Sequence, residues 1–434
     1  MLLQFAVENF LSFRDKTVFS MRAAANVERG PEAPDVVRGS DIARCAALYG
    51  ANASGKSNFI KALSFASELV VYGVEERGRI RTQPFRLDSA TADAPSCFEF
   101  YLRAATGTTY GYGFTVRPDA VVNEWLTKLE GKEEVEIFSR DGNSFTFAPQ
   151  PEESAQEILN LVSSATRDNQ LLLRTARQFK LKSFPQAFAD VLNWFELSLV
   201  IIEPDAKYRS LVAEAYRDES FRTFLAHVLE RADTGISSIR TVRRKVTKDE
   251  RSGLEEPGDR KGHGVDLQEG KLRAHYTNEG NEWYCVELRL RHGSEDMGES
   301  GDFELPEESD GTVRLLDLSP MLFHARGGPR VFIVDELDRS IHTALTRWLI
   351  ERFVTDLPGA ESQLIFTTHD TNLLDVEVLR PDAYWFAAKD EAGASTLYSL
   401  AEFKAEQVAQ LRKNLEQAYL VGRFGGVPRL REGS

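Results

Sequence analysis

Apolar side chains near the start of the chain fall at every second position: Leu3, Phe5 and Val7. The same spacing returns at Val18 and Ser20, past a turn at Arg14–Lys16. A period of two predicts two short strands. Residues 22–42 are polar and hold Pro31 and Pro34, so a loop is expected there. Ala43 to Tyr49 is a short apolar run, as in a strand buried on both faces, and it stops at Gly50. A helical spacing starts at Ser57, with Phe59, Ile60, Leu63, Phe65, Ala66 and Leu69.

The alternation resumes at Cys97, through Phe98, Phe100 and Leu102, and again at Tyr110, Tyr112 and Phe114. Asp141-Gly142-Asn143 is a hairpin signal, so residues 95–148 read as an antiparallel meander. Ser154 to Ala176 and Ser210 to Ala232 read as helices. Residues 243–282 are charged and poor in apolar side chains, and predict a flexible excursion or a surface hairpin. Strand spacing returns over 283–291. A helix is then expected at 311–324, a strongly apolar strand at 331–334, a helix at 342–355 and a strand at 364–367. Strands alternating with helices, the strands apolar throughout, predict an α/β chain with a buried, mostly parallel sheet. The expected layout is a discontinuous core over 1–95 and 283–434. Into it are set an antiparallel β lobe at 96–150, a helical insertion at 151–240 and a charged flexible excursion at 241–282.

The 434 residues allow two or three domains, or one large domain with insertions. Hydrophobic residues make up 42% and charged residues 28%, an ordinary globular mix that excludes a disordered or fibrous chain. With 53 Lys+Arg against 67 Asp+Glu the net charge is −14, so nucleic acid would need a local basic patch or a partner. The best local patch is Arg240, Arg243, Arg244, Lys245 and Lys248, offset by Asp249, Glu250, Glu255 and Glu256; a solvated surface loop explains it as well. Cys45, Cys97 and Cys285 are widely spaced and build neither a disulfide framework nor a CxxC metal site, as suits a reducing compartment. The N-terminus lacks a basic region before its apolar run, and no stretch is apolar for 18 residues, so a soluble, cytoplasmic protein with no membrane span is expected. Trp125, Trp194, His324 and His342 are expected to be structural.

Four constellations carry chemistry. The first is Gly50-Ala51-Asn52-Ala53-Ser54-Gly55-Lys56-Ser57, which fits G-x-x-x-x-G-K-[ST] between an apolar strand and a helix. Its glycines let backbone N–H groups turn toward phosphate, Lys56 reaches the β- and γ-phosphates of ATP, and the Ser57 hydroxyl binds Mg²⁺; Asn58 follows directly. In the second, the apolar strand Val331–Val334 ends in Asp335 and Glu336. Two carboxylates there are costly unless they meet a cation. Asp335 is expected in the Mg²⁺ shell and Glu336 as the catalytic group that polarises water against the γ-phosphate. The third, Thr367-Thr368-His369-Asp370, follows the next strand, where the imidazole of His369 can bond a γ-phosphate. The fourth, Glu308-Ser309-Asp310-Gly311-Thr312, opens a helix and offers either an anion site or a plain N-cap.

Taken in this order, the four resemble the ABC-type ATPase superfamily. The resemblance implies that the signature residues Ser309, Gly311 and Thr312 bind the γ-phosphate held by a second protomer. Two ATPs would then lie in a head-to-tail homodimer, and Asp338 would belong to the loop between the two sites. The usual signature reads LSGGQ; here Ser309 and Gly311 stand, with Thr312 at the second glycine position. Gln83 and Gln170 are candidates for the glutamine-loop residue, with an ordinary surface or turn residue the plainer reading of either. The blocks NFLSFRD, GANASGKSN, PFRLD, ESDGT, DELDRSIH, QLIFTTHD and YLVGRFGGVP are similar to one bacterial family. This is the AAA/ABC-hybrid ATPases linked to phage defence and abortive infection, relatives of the ATPase half of OLD proteins. That resemblance implies a P-loop NTPase fold of the ABC type and a separate nuclease or toxin as effector. A RecF- or SMC-like ATPase acting on DNA in repair is the alternative. No fused TOPRIM nuclease is expected in the stretch after His369, and no heptad run is long enough for an SMC-type arm.

Overall fold

The computed structural model describes residues 1–24, 37, 41–131, 133–149, 153–179, 185–247, 265–279, 282–293, 301–356, 361–404 and 415–426. Most of the loop expected at 22–42 lies outside them, as does 248–264. Two compact units are present. The first holds Met1–Pro204, Gly328–Leu337 and Leu349–Ser434; the second holds Asp205–Gly327 and Asp338–Trp348.

The first unit opens with β1 (Leu2–Glu8) and β2 (Thr17–Ser20), then β3 (Cys45–Tyr49) and α1 (Lys56–Val71). After the short α2 (Ser89–Ala92) come β4 (Ser96–Arg103), β5 (Thr109–Val116), β6 (Val121–Glu130), β7 (Glu133–Asp141) and β8 (Ser144–Phe147). Helices α3 (Glu153–Ala165), α4 (Leu172–Gln178) and α5 (Gln186–Asn193) lead to β9 (Leu199–Ile202). In the second unit lie α6 (Leu211–Arg217), α7 (Glu219–Arg231), β10 (Ile236–Lys245), β11 (Val265–Glu269), β12 (Leu272–Glu279), β13 (Glu282–His292), β14 (Asp302–Phe303) and α8 (Asp310–His324). The chain then forms β15 (Val331–Val334), α9 (Thr343–Thr355), β16 (Gln363–Thr367), β17 (Tyr384–Lys389), β18 (Ser395–Ser399) and α10 (Leu415–Leu420).

Two sheets build the first unit. The antiparallel sheet runs β2-β1-β4-β5-β6-β7-β8, the expected meander joined to the N-terminal hairpin, with β7 and β8 linked through Gly142-Asn143. The mixed sheet runs β18-β17-β3-β16-β15-β9, parallel except for β18. The apolar side of α1 holds its unit together. Phe59 meets Phe5 of β1 at 5.6 Å and Phe19 of β2 at 5.1 Å, and Phe65 stacks on Phe10 at 5.0 Å. Each fully buried ring of this kind contributes about 2 kcal/mol. The buried amide of Gln363 at the start of β16 bonds the Leu2 N–H at 2.6 Å, the Leu2 carbonyl at 2.9 Å and the Ala43 carbonyl at 3.0 Å, tying β1 to the parallel sheet.

Three readings change and a fourth is decided. The helix expected over 154–176 is two helices. Between them, the Asp168 carbonyl accepts from Val121 N at 2.7 Å and the Gln170 carbonyl from Arg140 at 2.6 Å, so those carbonyls serve β6 and β7 rather than a helix. The helix expected over 210–232 breaks at Asp218, extended at φ −120°, whose carboxylate caps the N–H groups of Ser220 and Phe221. Within 151–240, expected to be helical, Leu199–Ile202 is the edge strand of the parallel sheet, beside β15. Of the two readings of the charged stretch over 243–282, the described residues fit the hairpin: β11 and β12 pair across a turn at Gly270-Lys271 and join a five-stranded sheet with β10, β13 and β14, its apolar Ala274, Tyr276 and Cys285 closing a small core. Trp194 is buried and Trp125 half-buried, lying over Gly113. The three cysteines are free. No helix among the described residues is long and apolar enough to cross a membrane.

Candidate functional site

Strand β3 ends at Gly50, and the loop to Gly55 delivers the chain into α1. Gly50 and Gly55 have φ of 154° and 116°, and a Cβ on Gly50 would sit 2.5 Å from Ser54 Oγ and 2.6 Å from the Ala387 carbonyl, so only glycine fits. Gly55 is the N-cap of α1, no side chain caps that helix, and its first turn holds no acid. The positive end of its dipole therefore favours an anion. Lys56 is buried, with Nζ donating to the Gly50 carbonyl at 2.7 Å, so the ammonium lies inside the curl of the loop. Ser54 Oγ is buried with no hydrogen-bond partner, an orphan that a ligand oxygen would satisfy. Asn52 and Ala53 are exposed at the crest, Ala53 at φ 62°; Ser57 and Asn58 are half-buried in the first turn of α1.

In the mixed sheet β16 lies between β3 and β15. The strands are parallel, so the loop after β3, Thr367–His369 at the end of β16 and Asp335-Glu336 after β15 share one sheet edge. Two strand spacings, about 9–10 Å, separate the strand carrying Gly50 from the strand carrying the carboxylates. Thr367 organises that edge. Its Oγ1 donates to Asp335 Oδ1 at 2.6 Å and accepts from the Glu336 N–H at 2.8 Å, while its carbonyl accepts from Leu337 N at 3.0 Å. Glu336 has φ 51°, the left-handed region, which costs a non-glycine residue roughly 1–2 kcal/mol. The bond to Thr367 holds that turn, with Asp335 buried and Glu336 half-buried. His369 is exposed past the end of β16, and the Tyr49 hydroxyl donates to the next carbonyl, Asp370, at 3.3 Å.

Three further blocks support the loop. Ser12 Oγ accepts from Asn58 at 2.8 Å and from Ser395 Oγ at 2.8 Å, and Ser395 N donates to the Ser12 carbonyl at 2.6 Å. Asn9 Oδ1 accepts from Phe85 N at 3.0 Å, joining NFLSFRD to PFRLD. The Tyr419 ring packs edge-on against Tyr49 at 5.9 Å, and a Cβ on Gly426 would lie 3.6 Å from Gly50 Cα. Of the glutamine-loop candidates, Gln170 is buried with Oε1 accepting from Val74 N at 3.3 Å, beyond the C-terminal end of α1 and so away from the phosphate-type loop. Gln83 is exposed, its carbonyl accepting from Leu11 N. The carboxyl end of β9 brings Ile202 beside Asp335, whose N–H donates to the Ile202 carbonyl at 2.9 Å; Glu203 follows on that edge.

Ser309, Gly311, Thr312 and Asp338 belong to the second unit. Ser309 is the N-cap of α8, its Oγ accepting from Thr312 N at 3.1 Å and lying 2.9 Å from Thr312 Oγ1. A Cβ on Gly311 would meet the Ser340 carbonyl at 2.8 Å, so the helix start and the 338–342 loop pack against each other. Ser309, Gly311, Thr312, Ser340 and His342 line a cavity of about 360 Å³. His342 Nδ1 accepts from Ala344 N at 3.1 Å, a structural cap on α9, and His324 bonds the Tyr208 hydroxyl at 2.8 Å. The basic run lies on β10 as far as Lys245, with Lys248 outside the described residues. Arg243 stacks 3.5 Å above the Tyr284 ring, and Lys245 pairs with Glu282.

A phosphate-type loop, paired carboxylates two strands away in a mostly parallel sheet, and a covering antiparallel sheet define an α/β P-loop NTPase fold of the ABC-ATPase type. The chain belongs to the family described as "AAA domain, putative AbiEii toxin, Type IV TA system", whose model matches residues 45–375. No curated protein matches it. Among solved structures it is similar to an SMC head domain from Thermotoga maritima, at 13% identity over 92% of this chain and 98% of that chain, TM-score 0.39. A crystal structure of the SmcHead bound to the C-winged helix domain of ScpA is 14% identical over 94% of this chain and 99% of that chain, TM-score 0.43.

Proposed function

We propose that the protein binds and slowly hydrolyses MgATP, closes into a head-to-tail homodimer around two nucleotides, and gates a separate nuclease or toxin in cytoplasmic anti-phage defence. The observation that carries the ATPase reading is the Thr367 staple. It holds a buried Asp335 and a strained Glu336 on the sheet edge that also bears the Gly50–Lys56 loop. The family's description, which names a toxin system, supports the defence setting.

The loop N–H groups, Lys56 and Ser54 bind and orient the phosphates. Ser57 and Asp335 are hard oxygen donors, and among the described residues no cluster of three or more His, Cys, Asp or Glu stands ready to hold a metal alone. That set fits Mg²⁺, which takes one or two protein oxygens together with substrate phosphates; when bound it neutralises charge on them. Glu336 accepts the proton of the attacking water, and His369 donates to the γ-phosphate. Ser309, Gly311 and Thr312 complete the partner's site, and Asp338 couples the two sites. The rival reading, a RecF- or SMC-like DNA-repair ATPase, relies on the β10 patch, whose Lys245 and Arg243 already have partners.

The ATPase reading is tested by comparing wild type with Glu336→Gln for turnover and for mass by light scattering with ATP. Slow turnover and an ATP-dependent dimer in the variant are expected; unchanged turnover removes Glu336 from the chemistry. The effector reading is tested by co-expression with the products of the flanking genes. A salt-sensitive affinity of the isolated protein for DNA would favour the rival.

A further inference from the structure

The segment that leads into α8 joins the five-stranded sheet through β14, which pairs with β13, and is fastened to it side chain by side chain. Arg291 pairs with Asp302 at 2.5 Å, Arg289 with Glu304 at 2.8 Å, and His292 Nε2 bonds Glu308 Oε1 at 2.7 Å. Lys271, in the turn between β11 and β12, makes the last link. Its Nζ donates to the Glu308 carbonyl at 2.6 Å and lies 2.8 Å from Asp310 Oδ1. Lys271 therefore grips the chain on both sides of Ser309. Its hydrogen bond also holds the Asp310 carboxyl below the usual carboxylate range.

We propose that Lys271 is a positioning residue for the 308–312 segment, acting through Ser309 and Asp310 rather than on the nucleotide of its own protomer. The charge-assisted bond to the Glu308 carbonyl fixes the backbone from which Ser309 caps α8. The ion pair with the largely exposed Asp310 contributes little to stability, yet it cancels a negative charge in the first turn of the helix that receives a phosphate. The inference rests on the reading of residues 308–312 as the part of the site supplied in trans.

The test uses the full chain in the Glu336→Gln background. For Lys271→Ala, ATP affinity in dilute protein is expected to stay within about twofold, while the ATP-driven rise in mass moves to about tenfold higher protein concentration, the scale of one charge-assisted hydrogen bond. Lys271→Arg keeps a cationic donor and is expected to restore association to within about threefold. Unchanged association of Lys271→Ala overturns the proposal. So does a loss that Lys271→Arg fails to rescue, because a mere packing role would not follow the charge. Ser309→Arg is run alongside. If it too associates normally, the trans reading of 308–312 has failed. If it blocks association while Lys271→Ala does not, the Lys271 inference alone has failed.

Discussion

Two helices of this chain start at candidate phosphate sites, and they start differently. Helix α1 opens on Gly55, with no side-chain cap and no acid in its first turn. Helix α8 opens on Ser309, which caps it, with Asp310 in its first turn and Lys271 beside that acid. The first start has neither a side-chain cap nor an acid, so the positive end of its dipole favours an anion. The second is satisfied within its own chain. Under the proposed trans reading, this end would meet a nucleotide already held by a second protomer. The two ends therefore differ in what the chain itself supplies: a bare end at α1, and a capped, charge-balanced end at α8.

The strongest way to break this comparison leaves both helix starts untouched. Glu336→Gln is expected to lower turnover by about 10²–10⁴-fold in steady-state assays, with ATP affinity kept, since general-base catalysis is worth about that much. A rate within twofold of wild type would mean that the paired carboxylates do not serve the bound phosphate. Next in size, Lys56→Ala is expected to weaken ATP binding about a hundredfold by calorimetry, because the ammonium inside the loop is lost. Equal affinities would make the bare end of α1 a structural turn only.

The α8 end is sharpened by Gly311→Ala. The added Cβ would meet the Ser340 carbonyl at 2.8 Å. ATP affinity should hold while ATP-driven association in the Glu336→Gln background weakens by about tenfold or more, read by light scattering. Mixing Lys56→Ala with Ser309→Arg should return part of the turnover that each variant lacks, through heterodimers with one intact site; a site complete within one protomer gives no recovery. The smallest effect expected is Ser309→Ala, about 1 kcal/mol of stability by denaturant titration from the lost cap. No change there would show that the Thr312 N–H is satisfied without Ser309.

Much of this molecule was legible in order along the chain. The Gly50–Ser57 loop, the apolar strands with their acidic and histidine ends, and the alternating meander depend on local spacing, and local spacing is what periodicity reports. The breaks at Asp168–Gln170 and Asp218 were not legible. A polar residue within a helical pattern ends the helix only when its carbonyls or carboxylate find partners, and those on Asp168 and Gln170 are Val121 and Arg140, far away in sequence. Leu199–Ile202 is too short to tell strand from helix by period alone; pairing with β15 decided it.

The same division runs through the candidate site. Which residues carry charge and which glycines allow the loop to curl follow from residue identity and spacing, because a missing Cβ or a carboxylate is a property of one position. Which of those residues are held ready was settled by contacts between distant segments. Thr367, met first as a neighbour of His369, staples Asp335 and orients Glu336 from the adjacent strand. Ser12 and Ser395 brace the helix start from opposite ends of the chain. Lys271, inside a stretch read as a charged excursion, clasps the residues on either side of Ser309. Hydrogen bonds and ion pairs act over about 3 Å whatever the sequence separation, so only the folded chain brings these partners within reach.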